Sequence, residues 1–151
     1  ENIAQASKTL APIGLSSFAL AMMIGRFFGD SVRTTLGDRK MLIYMGLIST
    51  IGVMFILLFT HPVAVIVGLF ITGLGLSSIV PIAYSIAGNT KDLPPGVGLA
   101  MVTTVGYSGF LFGPPIIGFL ADWQSLRLAL GLVAILFVIM TFLSMRYKTK
   151  Q

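Results

Sequence analysis

Residues 41–60 read MLIYMGLISTIGVMFILLFT, twenty consecutive positions without a charge. About twenty apolar residues in a helix cross the hydrocarbon core of a bilayer, and an uncompensated charge there is expensive, so this stretch reads as a membrane-spanning helix. Four more runs share its character, and the five expected spans cover about residues 9–29, 41–60, 62–88, 96–121 and 126–146. Each must be helical, because lipid satisfies no backbone hydrogen-bonding group and five strands are too few to close a barrel. The predicted fold is all-α and integral to a membrane, with five transmembrane helices in a single bundle.

Composition points to the same solvent. Hydrophobic residues make up 56% of the chain and charged residues only 10%, against about 25% charged in soluble domains. With a mean hydropathy of +0.96, too few polar side chains remain to cover a water-facing surface. A net charge of +5 is also found in nucleic-acid binders, which gather Lys and Arg into a basic stripe. Here nearly all the basic residues lie in short gaps between apolar runs, so no nucleic acid is expected; the expected partners are the lipid bilayer and a small-molecule substrate. Cysteine is absent, which excludes a disulfide framework and a thiolate metal site. No nucleophile, base and orienter set, metal-ligand cluster or phosphate loop stands out, so neither an enzyme nor a cofactor is expected. The chain opens on Glu1 with no signal-peptide pattern ahead of the first run, as a portion of a longer protein would.

The cations set an expected orientation, because short cytoplasmic loops carry an excess of Lys and Arg. Arg33, Arg39, Lys40, Lys91, Arg146, Lys148 and Lys150 fall on one side, and Lys8 and Arg127 on the other. The N-terminus is therefore expected outside a plasma or inner membrane and the C-terminus in the cytoplasm. Arg26 is expected to snorkel from the end of the first span to the interface. The third and fourth spans exceed the bilayer thickness and are expected to tilt, to kink at Pro81 and at Pro114-Pro115, or to project into water at one end. Short connections around His61 and from Asp122 to Arg127 predict antiparallel neighbours, with His61, Asp122 and Trp123 at the interface. Gly109 and Gly113, four apart in the fourth span, are expected at a close helix contact or a sliding surface.

The most specific local pattern is Gly25-Arg26-Phe27-Phe28-Gly29-Asp30, then Arg33, then Gly37-Asp38-Arg39-Lys40 before the next span. It resembles the signature loop of the major facilitator superfamily, found between the second and third helices and repeated between the eighth and ninth. The departures are Thr34 and Thr35 where the family usually has an Asp-Arg pair, and Asp38 where a basic residue is usual. Asp30, Arg33, Asp38 and Arg39 are left to form a rearranged gating network; the plainer alternative is a solvated turn obeying the positive-inside bias. Gly73-Leu74-Gly75-Leu76-Ser77 with Pro81 resembles the tenth helix of sugar-type permeases. Gly106 to Gly109 and Gly113-Pro114-Pro115 to Gly118 resemble the eleventh. The resemblance implies the eighth to twelfth helices, a partial C-terminal six-helix bundle near the fucose permease-like branch, and a missing N-terminal transporter half.

That assignment implies a substrate cavity lined by the first, third and fourth spans of this chain. Thr103, Tyr107 and Phe110 are spaced i, i+4 and i+7, on one helical face, and Thr72, Ser77 and Tyr84 lie on the third span. Hydroxyls with aromatic rings suit a neutral, sugar-like solute, which presents hydrogen-bonding edges and apolar faces together. Any one of these hydroxyls has a competing option, a bond back to its own helix carbonyl. The expected function is transport of a small polar solute by alternating access as part of a complete permease. The rival readings are a non-transporting membrane subunit or degenerate permease remnant, and an oligomeric channel, which would need a continuous polar stripe.

Overall fold

A computed structural model of the chain describes residues 10–59, 61–91 and 93–146. Among them run six helices: α1 (Leu10–Leu36), α2 (Asp38–Leu58), α3 (Pro62–Leu76), α4 (Ile79–Gly88), α5 (Pro95–Trp123) and α6 (Leu126–Arg146). With α3 and α4 joined as one interrupted span, five segments are long and apolar enough to cross a membrane. The described residues contain no strand.

Two boundaries differ from the sequence expectation. The first helix does not end near Gly29 but continues to Leu36, so the expected loop is a single residue, Gly37, with φ 78° and ψ 161°. Residues 30–36 contain no Gly or Pro to stop the helix, and at about 1.5 Å per residue a helix of 27 residues outruns the roughly 30 Å hydrocarbon core. A helix of that length can carry its polar last turns past the lipid. The third span breaks at Ser77-Ser78 rather than at Pro81 itself. A proline has no N–H to donate four residues back, and its ring crowds that carbonyl, so the disruption from Pro81 falls on Ser77. Helix α5, in contrast, continues through Pro114 and Pro115.

Interhelical contacts give the direction of every span. Along α1 and α3, Ser17 donates to the Ile66 carbonyl at 3.4 Å, Gly73 meets Phe18 and Ala21, and Gly25 meets Ser77, so both indices rise together and the helices are parallel. Along α2 and α3, Ile56 meets Gly68, Gly52 meets Thr72 and Ser49 meets Gly75, an antiparallel register. α2 and α6 run antiparallel through Gly46 with Thr141 and Arg39 with Met145, and α4 and α5 through Ala87 with Gly98 and Tyr84 with Thr103. Alternating directions carry successive spans between the same two faces. At the turn into α3, the His61 ring nitrogen Nδ1 accepts the Val63 N–H at 3.4 Å and Pro62 occupies the first turn, satisfying a backbone donor that the helix start leaves free.

Glycine sets how closely α1, α2 and α3 approach, because lipid supplies no hydrophobic drive between helices and association rests on backbone proximity. A Cβ on Gly75 would lie 2.6 Å from the Ser49 nitrogen and 2.7 Å from the Met45 carbonyl oxygen. The expected glycine contact on the fourth span does not form: among the described residues nothing lies within 4 Å of a Cβ placed on Gly106, Gly109, Gly113 or Gly118.

Candidate functional site

The candidate residues separate into three places. Thr72 is buried and donates to the Gly68 carbonyl at 2.8 Å while facing Gly52 of α2. Ser77 is fully buried, donates to the Leu74 carbonyl at 2.6 Å and sits against Gly25 of α1. Both hydroxyls therefore bond back to their own helix at a packed crossing. The structure brings Tyr84 and Thr103 together instead, with the Thr103 hydroxyl 3.3 Å from the Tyr84 phenol oxygen across the α4–α5 contact. Tyr107 and Phe110 continue along α5 from Thr103, and both are largely exposed.

Local sequence explains why Thr103, and not its neighbours, reaches across. Thr104 and Ser108 each donate at 2.8 Å to the carbonyl four residues back, at Ala100 and Thr104. A step of one residue turns the side chain by about 100°, which directs Thr103 toward α4 and Thr104 away from it. The approach depends on Gly98, where a Cβ would lie 3.0 Å from the Ala87 carbonyl carbon. Sequence reasoning passed over Gly98, whose one signal was a glycine just inside the first turn of a long helix.

Residues expected in the gating network lie at one end of the bundle. The Arg33 guanidinium donates through Nε to Asp38 Oδ1 at 2.6 Å and through Nη2 to the Ser85 hydroxyl at 2.6 Å. Arg39 donates to the Met145 carbonyl oxygen of α6. These bonds tie the α1–α2 turn to α4 and to the end of α6, so Arg33, Arg39 and Arg146 share one end of the bundle. Arg33 also lies in the last turn of α1 and Asp38 in the first turn of α2, each favourable for the local helix dipole. Among the described residues Arg33–Asp38 is the one salt bridge, and Asp30 stands outside it. Arg26 and Asp30 instead line an open cleft of about 380 Å³ with Ser78, Val80 and Pro81, beside the break in the third span. Gly25 and Gly29, one helical turn apart, face Ser77 and Ser78 and let α1 press against that break. Ser85 carried no signal in the sequence, since nothing local to it names Arg33, 52 positions away, as its partner.

Replacing Arg33 with Gln removes the ion pair and alters the Ser85 bond. Both side chains of the pair are about a quarter exposed, at 25% and 29%, so solvent screens the attraction and the expected loss is about 1 kcal/mol. Thermal unfolding in detergent at low and high salt checks this: the difference between Arg33→Gln and the parent should shrink as salt rises.

Apolar helices of alternating direction, joined by turns with most of their cations at one end, define an integral membrane helical bundle. The chain belongs to the Major Facilitator Superfamily, whose family model matches residues 2–150. The chain is 40% identical over 130 residues to an uncharacterized MFS-type transporter of Yersinia pestis, covering 86% of this chain and 34% of that protein. It is 34% identical over 128 residues to the membrane protein MosC of Rhizobium meliloti, covering 85% and 31%. An uncharacterized transporter of Sinorhizobium fredii, y4wD, is 29% identical over 125 residues, covering 83% and 33%. The chain thus spans about one third of the length of the curated relatives it matches. No solved structure matches it.

Proposed function

We propose that this chain supplies the eighth to twelfth helices of a major facilitator permease and carries half of a site for a small, neutral, sugar-like solute. The observation that supports this most is the Tyr84–Thr103 pair, 3.3 Å apart across α4 and α5. It puts two hydroxyls at the start of an exposed aromatic face formed by Tyr107 and Phe110. Rings that stack on an apolar sugar face, next to hydroxyls that both donate and accept, are what a polyol requires. The basic end holding Arg33, Arg39 and Arg146 is the cytoplasmic end, with the N-terminus outside the plasma or inner membrane, in keeping with the positive-inside bias. Alternating access needs two bundles rocking about a central site, so the partner is an N-terminal half of the same transporter.

The test uses the complete transporter, reconstituted and screened for binding against a panel of neutral sugars and polyols. Removing one neutral hydrogen bond costs about 0.5–1.5 kcal/mol, so Tyr84→Phe and Tyr107→Phe should each weaken binding by about threefold to tenfold. Tyr44→Phe, a change on the exposed face of α2, should leave binding unchanged. Binding as tight in both site variants as in the parent would remove these tyrosines from the site, and uptake by the 151-residue chain alone would contradict the need for a second bundle.

A further inference from the structure

We infer that the groove between α2, α4 and α6, at the basic end of the bundle, is a binding site for an anionic phospholipid. This goes beyond the transport proposal and does not depend on it. Helices α4 and α6 both pack on α2, yet among the described residues they do not pack on each other. The gap between them is an open groove of about 380 Å³ whose lining is almost wholly apolar: Leu42 from α2, Ile86 from α4, and Leu136, Ile139, Met140 and Leu143 from α6. Leu136, Ile139 and Leu143 stand exposed along it. A furrow of this kind on a membrane-embedded surface accommodates an acyl chain.

Charge at the mouth of the groove selects the headgroup. Arg39 lies one helical turn before Leu42 and is held beside α6 by its bond to the Met145 carbonyl, next to the lining residue Ser144. The Arg146 guanidinium lies 4.9 Å over the Phe142 ring, a cation–π arrangement that keeps it at the end of α6 beside Leu143. Lys40 is exposed in the same first turn of α2. Among the described residues, no carboxylate lines the groove. The nearest acid in sequence, Asp38, is engaged by Arg33, so its charge is already answered. An apolar slot that opens on cations matches a lipid with an anionic headgroup better than a zwitterionic one, since each Lys or Arg near an anionic headgroup favours it by about fivefold.

The experiment places the 151-residue chain in phosphatidylcholine vesicles carrying spin-labelled phosphatidylglycerol or, in parallel, spin-labelled phosphatidylcholine, and reads the motionally restricted fraction of each. The expected result is a preference for phosphatidylglycerol of about fivefold or more that declines as salt rises. It should fall close to one in the Arg39→Gln/Arg146→Gln double variant, and also in Ile139→Trp, which fills the groove from an exposed position and leaves every charge in place. Circular dichroism checks that both variants keep their helix. Equal restriction of the two lipids by the parent would overturn the proposal, as would a preference that survives the double variant. A preference that survives Ile139→Trp alone would overturn it too, since it would come from surface charge without a groove.

Discussion

Gly52→Val should cost the bundle about 3 kcal/mol or more. A Cβ at this position would lie 2.6 Å from the Thr72 nitrogen and 2.8 Å from the Gly68 carbonyl oxygen. Both are backbone atoms and cannot rotate away, so α2 and α3 would have to separate. Overpacking of a tight site costs about 1–3 kcal/mol, and this crossing is at the upper end because separation also opens the neighbouring contacts of Gly68 with Ile56 and of Gly75 with Ser49. In lipid or detergent no hydrophobic drive compensates for lost proximity. Thermal unfolding of the purified chain in detergent measures the loss. Gly109→Ala provides the contrast: among the described residues its Cβ meets nothing within 4 Å, so the gain in helix propensity, about 1 kcal/mol, should leave the chain as stable or more so.

The second large effect is expected at Gly37, for a different reason. Among the described residues no atom lies within 4 Å of a Cβ there, so space is not the issue. Its φ of 78° with ψ of 161° falls in a region essentially limited to glycine and costs other residues about 1–3 kcal/mol. Gly37→Val should therefore lose about 3 kcal/mol and Gly37→Ala somewhat less. Asn, which relieves a left-handed helical site, should not rescue this one, because its tolerance belongs to ψ near +45°. Unfolding curves for the three variants check the order; a fully stable Gly37→Asn would mean that the turn is left-handed helical instead. The conformation matters because α1 and α2 meet at this one residue. Arg33 can reach Asp38 only when the chain reverses there, and the same guanidinium holds Ser85 of α4.

The spans were legible in the sequence because their signal is additive. Twenty uncharged residues between 41 and 60 need no knowledge of neighbours. Where the sequence misled, a local signal was outweighed by something distant or by geometry. Asp30, Ser31, Arg33, Thr34 and Thr35 look like a loop by polarity, yet they complete α1, since polarity marks where lipid ends and not where the helix ends. Thr34 and Thr35 donate to the Ser31 carbonyl inside that last turn, which suits two threonines where the family usually has charges. Pro81 did foretell the interruption of the third span, but its effect is felt four residues earlier at the carbonyl it cannot serve.

The site was less legible. Thr72, Ser77 and Thr103 are alike as hydroxyls on apolar helices, and only the neighbouring helix decides that the first two face Gly52 and Gly25 while the third meets Tyr84. The glycines present the same difficulty. Gly75 and Gly109 sit in similar apolar surroundings in the sequence, yet one lies against the Ser49 backbone and the other faces open space. Pairing between helices is a property of the whole bundle, and a periodicity within one helix carries no record of it.

Everything functional here rests on successive helices crossing between two faces. The absence of cysteine allows single-cysteine variants at Thr35, His61 and Ser125 to be labelled with a membrane-impermeant maleimide on sealed vesicles. His61→Cys and Ser125→Cys should react from one face and Thr35→Cys from the opposite face only. Labelling of Thr35→Cys and His61→Cys from the same face would mean that residues 38–58 do not cross the membrane, and a bundle of five spanning segments would not be the structure the chain adopts in lipid.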